Sequence, residues 1–354
     1  MKAFRLQTAI RSTRVHRIGF VAATLVLTSL LPSVMTSSNA ASKAAVKTDT
    51  IYVGIALTPP KMVFLAPYVA AARGYFAKQH LNVKFIGMPD GLETELGTVS
   101  GAIDFGFSSA TDSIFSAATG TPLHAIWSYA PRLDTQCIAS NDVKSAKDLV
   151  GQYVGSTGTG GFSYTQVYAC VAADGVSVDQ LKLVNMPRSQ FVPNLVNGRI
   201  KAAVFHADDA YVVQHSGVKV HVLQSEYLTA PNWWYGGVAV LDAYAKTHKD
   251  IVERFLTAMV QADRYMTDVK HRAEVIRIGT KITQEDKAAV AYAYDFLQKA
   301  HGWTLNDGMD PTAVNYTAGQ MLSFKEIDKQ PTYSQIVDST YINDVLAKLG
   351  RVAE

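Results

Sequence analysis

Small hydroxyl residues recur in this chain where apolar runs stop, a placement suited to holding polar solute atoms without a formal charge. Ser108 and Ser109 end the run Gly101-Ala-Ile-Asp-Phe-Gly-Phe107, and Thr58 follows the run 51–56. Thr159 and Gly160 lie in Ser156-Thr-Gly-Thr-Gly-Gly-Phe162, just ahead of a helical pattern. Helix N-termini carry unpaired N–H groups and partial positive charge, so that loop can hold an anion or a carbonyl. It is neither a Walker loop nor a dinucleotide fingerprint: no Gly-Lys-Ser/Thr follows, and Gly158, Gly160 and Gly161 have the wrong spacing. Asp208 and Asp209, beside His206, follow the run 202–206 and suit a cationic or N–H-bearing partner, or equally a helix N-cap. Phe162, Trp233 and Trp234 offer flat apolar area for stacking, or core packing. Arg132 and Arg188 are natural anion partners, with the surface as their ordinary place.

These residues need a scaffold that presents strand ends, and the chain shows one twice. Residues 101–112 are echoed by Gly198-Arg-Ile-Lys-Ala-Ala-Val-Phe-His-Ala-Asp-Asp209, and Tyr52-Val-Gly54 by Tyr153-Val-Gly155. A period of about 100 residues is too long for a solenoid and fits two similar lobes. Strands are predicted over 51–56, 83–86, 125–129, 136–139, 153–155, 218–223 and 237–241, with helices over 92–100, 142–149 and 163–173 between them. This alternation gives β-α-β units with parallel strands, and ligands in open α/β sheets bind beyond the strands' carboxyl ends. The strands 136–139 and 237–241 are the expected crossings between lobes, which puts 41–137 and 239–354 in lobe 1 and 138–238 in lobe 2. Val252, Phe255, Met259, Ala262 and Met266 recur at helical spacing, Thr283-Gln-Glu-Asp286 reads as a capping box, and a last helix ends at Gly350.

Lys2, Arg5, Arg11, Arg14 and Arg17 precede an uncharged apolar run, 18–35, and Ser38-Asn39-Ala40 supplies small residues for cleavage, so 1–40 reads as a secretory signal peptide. The whole chain of 354 residues carries a net charge of +3, but beyond residue 40 there are 28 basic and 30 acidic residues, a net charge of −2. No basic stripe interleaved with aromatics is left, which argues against nucleic acid as a partner. Cys137 and Cys170 are two isolated cysteines; export permits a disulfide between them, and two buried thiols fit as well. They make no metal motif, and no cofactor is expected.

Ala72-Arg-Gly-Tyr-Phe76, Gly101-Ala-Ile-Asp-Phe-Gly106, Lys147-Asp-Leu-Val-Gly151, Val154-Gly155 and Asn197-Gly-Arg-Ile-Lys-Ala-Ala-Val204 resemble type II periplasmic binding proteins of the nitrate/sulfonate/taurine and thiamine-precursor group. The resemblance spans most of 50–350. It implies an α/β fold of two lobes, each a mostly parallel sheet flanked by helices, with two crossovers at a hinge. It also implies a periplasmic receptor, not an enzyme, that binds a small solute between the lobes and delivers it to an inner-membrane ABC permease. Thr58, Ser108, Ser109, Thr159, Gly160, Phe162, Asp208, Trp233 and Trp234 are the expected ligand-binding residues. Their mix of hydroxyls and rings favours a compact organic solute with a ring or apolar body and one polar or anionic end. Phe205-His206-Ala207-Asp208 stands where members often carry Trp-Glu-Pro. The alternative is an enzyme on the same scaffold, resembling a desulfinase or a thiamine-pyrimidine synthase, which needs a reactive cysteine in the cleft or a cysteine-rich motif.

Overall fold

The computed structural model describes residues 47–158 and 160–353; the signal-peptide reading of 1–40 and the expected site residue Thr159 lie outside the described residues. Ten strands form two five-stranded sheets. The first contains β1 (Asp49–Ala56), β2 (Leu81–Met88), β3 (Phe105–Ser109), β4 (Leu123–Ala130) and β10 (Gly236–Leu241), in the order β2-β1-β3-β10-β4. The second contains β5 (Thr135–Ser140), β6 (Tyr153–Ser156), β7 (Lys182–Asn185), β8 (Ala202–His206) and β9 (Val220–Ser225), in the order β7-β6-β8-β5-β9. The orders superpose one for one, so the echo read in the sequence is a structural duplication, with β3 and β8 at the same place in their sheets. In each, β1, β2 and β3, or β6, β7 and β8, run parallel, and the fourth strand, β10 or β5, runs antiparallel beside the third. The chain leaves the first sheet over 131–134 and returns over 226–235. The strands read as crossings, 136–139 and 237–241, are instead the antiparallel members of one sheet each, because each pairs along its length with β8 or β3.

Local sequence explains the repeated unit. Gly101 and Gly198 both have positive φ, +76° and +66°, and each ends a helical stretch so that the chain can turn into β3 or β8, a conformation costly for a side chain bearing Cβ. On β8, Ala202 and Val204 pack on one face with Val154, Cys137 and Cys170, while Ala203 and Phe205 pack on the other with Phe191 and Ile138. That period of two buries both faces, as a central parallel strand requires. Val252, Phe255, Met259, Ala262 and Met266 all lie buried on the helix Lys249–Thr267, and the final helix Thr340–Leu349 buries Ile342, Val345 and Leu346 before Gly350. The 283–286 stretch is not a capping box: Thr283 is the last residue of one helix, its Oγ1 donates back to the Gly279 carbonyl, and the next helix starts at Lys287. Among the described residues no helix is long and apolar enough to cross a membrane.

Candidate functional site

The parallel strands of each lobe end toward the other lobe, and the antiparallel strands begin there, so six chain ends converge: Ala56, Ser109 and Gly236 from one sheet, Ser156, His206 and Thr135 from the other. The lobes are closed on each other in this structure. Phe162 meets Tyr235 edge to face at 4.9 Å, the Met62 N–H donates to Asp208 Oδ2 at 3.1 Å, and the Lys61 ammonium reaches Asp209 at 2.6 Å and Glu285 at 3.1 Å.

Several expected site residues have structural duties at this junction. Ser109 caps the helix Ala110–Ala118 in a capping box with Asp112, and Ser108, fully buried, donates to Glu95 Oε1 at 2.9 Å. Ser113 and Ser116 also donate to Glu95, yet burial wins and pushes that carboxyl up to about 7; burial likewise pushes Asp112 up to about 6. Thr58 and Gly160 are exposed, and Phe162 is half-buried. The N–H of Gly161, at the start of the helix Gly161–Val171, donates to Glu326 Oε1 at 2.8 Å. The chain thus supplies its own carboxylate to a helix N-terminus that the sequence reading offered to a ligand. Asp208 is buried and accepts from Met62 and Asp209 N–H groups; burial and the neighbouring Asp209 charge raise its pKa, and Lys61 opposes them.

The two tryptophans are fully packed by the protein itself. Trp233 packs against Tyr168, Tyr316 and Phe324, and the Trp234 indole N–H donates to Ser128 Oγ at 3.0 Å; both side chains are fully buried in the large core. The next residue, Tyr235, is the ring that meets Phe162 and is also bordered by Tyr129 at 5.7 Å and Phe64 at 6.5 Å. Near it lie polar residues, of which sequence reading named His206 and Arg188 and passed over Asp134, Thr135, Gln166 and Glu226. His206 Nδ1 faces both Asp134 oxygens at 3.0 Å, and Thr135 Oγ1 donates to Glu226 Oε2 at 2.5 Å. Arg188, half-buried rather than on the surface, donates to Gln166 Oε1 at 3.0 Å and to the Val204 carbonyl at 3.3 Å. Burial raises Glu226 well above the ordinary carboxylate range, with Thr135 opposing. One signal was available: Asp134-Thr135 and Glu226 flank β5 and β9 at the edge where His206 ends β8.

Cys137 on β5 and Cys170 on the helix Gly161–Val171 form a disulfide, with Cα atoms 5.4 Å apart, inside the lobe 2 core. Arg132 donates to the Pro231 carbonyl at 3.0 Å, tying the outgoing connection to the returning one. It borders a separate groove of about 1060 Å³ that also touches His301, Trp303 and Met309 and contains none of the expected site residues.

Two duplicated α/β lobes, joined by two connections and meeting at their strand ends, define the periplasmic-binding-protein fold. The alkanesulfonate-binding protein SsuA from Xanthomonas axonopodis pv. citri, solved with MOPS bound, has this fold with a TM-score of 0.68 at 14% identity, covering 83% of this chain and 99% of that one. The profile of the family described as NMT1/THI5 like matches residues 61–273, and the chain belongs to that family. Among curated proteins, the riboflavin-binding protein RibY of Chloroflexus aurantiacus is 25% identical over 207 residues, 57% of this chain and 58% of RibY. The formylaminopyrimidine-binding protein of Halalkalibacterium halodurans is 24% identical over 233 residues, 65% of this chain and 69% of that protein.

Proposed function

We propose that this chain is an extracytoplasmic solute receptor that closes its two lobes on a compact organic molecule with a ring and delivers it to an ABC permease. The observation that carries the reading is the cluster of polar groups at the lobe junction: Asp134, His206 and Arg188 near the Tyr235 ring, with Gln166 bonded to Arg188 and Glu226 within reach of Asp134 and Arg188. None of these side chains is needed to fill a lobe core, whereas pockets for small ligands combine apolar walls with a few placed polar groups. Phe162 and Tyr235 serve as the walls, Ser109 and Asp208 as the rims of the two lobes, with Thr58 and Gly160 at the mouth. The ligands for which the two relatives are named, riboflavin and formylaminopyrimidine, support a ring-bearing solute.

The charge of the junction refines the solute's polar end. Asp112, Asp134, Asp208 and Glu226 face two cations, Arg188 and Lys61, and one titratable histidine. An oxyanion brought there meets more carboxyl than guanidinium, so a neutral or N–H-bearing end fits better than an anionic one. The enzyme alternative lacks its nucleophile, since both cysteines of the chain are paired and buried. The cationic and apolar layout of 1–40 and the disulfide agree with export. The test is to recover the protein from the cell envelope, sequence its N-terminus for cleavage near Ala41, and screen it calorimetrically against flavins, pyrimidines, aromatic acids, polyamines, sulfonates and nitrate. A ring-bearing organic hit is expected. Binding of nitrate alone sinks the proposed solute class, and binding of nothing in the panel sinks the receptor reading.

A further inference from the structure

We propose that Gln166 and Glu226 are the recognition pair of the cleft and read a solute edge on which a hydrogen-bond acceptor sits beside an N–H donor, as in a cyclic imide or pyrimidinone. This rests on the receptor reading and names the groups that choose the solute. Gln166 and Glu226 are 3% and 0% exposed, and each has spent only one of its two polar atoms on the protein. Gln166 Oε1 accepts from Arg188 and Glu226 Oε2 from Thr135, while Gln166 Nε2 and Glu226 Oε1 are buried without a partner. Buried polar groups are nearly always hydrogen-bonded, so an unused donor and an unused acceptor at the junction of two closing lobes point to a third party.

The identity of the free Gln166 atom is chemically determined. Arginine can only donate, so the Gln166 atom facing it must be the oxygen, and the amide N–H₂ is what remains. Burial favours the protonated form of Glu226. Thr135, which donates to Oε2, and Arg188 favour the ionised form instead, in which Oε1 still accepts. The two side chains also belong to one neighbourhood. Three residues beyond each, Thr229 Oγ1 donates to the Ala169 carbonyl at 2.7 Å, and residues three apart share a helix face. Arg188, bonded to Gln166, is near enough to stabilise the Glu226 charge. Glu226 opens the returning connection and its partner Thr135 closes the outgoing one, so a solute held here bears directly on both hinge segments.

Isothermal calorimetry with uracil and riboflavin as probes, beside 1,3-dimethyluracil, 3-methylriboflavin and taurine, tests this. Uracil or riboflavin should bind, and its N-methylated counterpart, lacking the N–H, should bind at least tenfold more weakly. Glu226→Gln and Gln166→Glu should each weaken the parent probe at least tenfold, while changing the methylated probe by less than threefold. Gln166→Glu keeps an oxygen toward Arg188 and replaces the free N–H₂ by a second oxygen, with a charge that Arg188 pairs. Neither variant should lower the melting temperature by more than a few degrees, because neither free atom bonds within the protein. Equal binding of parent and methylated probes, unchanged affinity in both variants (the result if a buried water joins the pair), or binding of taurine alone overturns this inference and leaves the receptor reading standing. Failure of both uracil and riboflavin to bind overturns it as well. A loss of melting temperature that accounts for the lost affinity makes the pair structural and also overturns it.

Discussion

Glu95 is a carboxyl whose surroundings set it far from its ordinary chemistry. It lies beneath the lobe 1 strand ends, accepts hydrogen bonds from Ser108, Ser113 and Ser116, and is held near 7 against an ordinary value of 4.5 by burial and by the Asp112 charge. The folded form therefore binds this proton more firmly than the unfolded chain does. Its stabilising contribution is complete below about 4.5 and is lost as pH rises to about 7, at most about 3 kcal/mol from a shift of this size. Asp112, raised to about 6, acts in the same direction over a lower window. Glu95→Gln keeps an acceptor for the serines and has nothing to ionise. Urea unfolding should find it about 1–3 kcal/mol more stable than the parent at pH 8 and nearly equal at pH 4.5. A parent whose stability does not fall between pH 5 and 8 would contradict the account.

At the scale of elements, lobe 2 is the smaller structure and the one with a covalent clamp. Its buried apolar residues split into two modest groups, one on each face of the sheet, whereas lobe 1 and the C-terminal helices share one large core. The Cys137–Cys170 bond joins β5 to the helix Gly161–Val171 across a separation of 33 residues, and closing a loop of that length in the unfolded chain is worth about 3–4 kcal/mol. The double variant Cys137→Ala/Cys170→Ala should lose roughly that much stability in chemical denaturation. Because the same helix carries Phe162 and Gln166 toward the junction, its affinity for a verified solute should fall too, by about two- to fivefold. An unchanged denaturation midpoint would show that packing alone orders lobe 2.

For the whole molecule the question is what holds the lobes together. The closing contacts lie at separated points: Lys61 with Asp209, Asp208 with the Met62 N–H, Glu326 with the Gly161 N–H, and Tyr292, which donates to Gln136 at 2.8 Å and packs on Tyr211. The three carboxylates around Lys61 outweigh its burial and keep it charged. Hinged receptors exchange between open and closed forms, and a contact made only on closure biases that equilibrium. Asp209→Asn removes one such contact while keeping its shape. Small-angle scattering should give this variant a larger radius of gyration than the parent without solute and the same value at saturation, with affinity lowered about three- to tenfold. Identical unliganded curves for parent and variant would mean that the Lys61 cluster does not control closure.

Sequence alone determined the repeated unit. Gly101 and Gly198 mark the same turn, the apolar alternation of 102–107 and 199–205 marks the same strand, and the spacing of Val252, Phe255 and Met259 marks a packed helix. Such signals are local, because strand and helix periodicity and the need for positive φ act within a few residues. Only tertiary structure decided which polar groups meet. Asp134 finds His206 across 72 positions, Thr135 finds Glu226 across 91, and Glu326 finds Gly161 across 165. It also decided that Trp233 and Trp234 are fully packed while Tyr235 meets Phe162, that Arg188 turns inward, and that β5 and β10 are sheet members rather than crossings. These outcomes follow from sheet order, which is set by the apolar area buried when distant segments pack together. A buried carboxylate and an exposed one share the same letter in the sequence, and only that packing tells them apart.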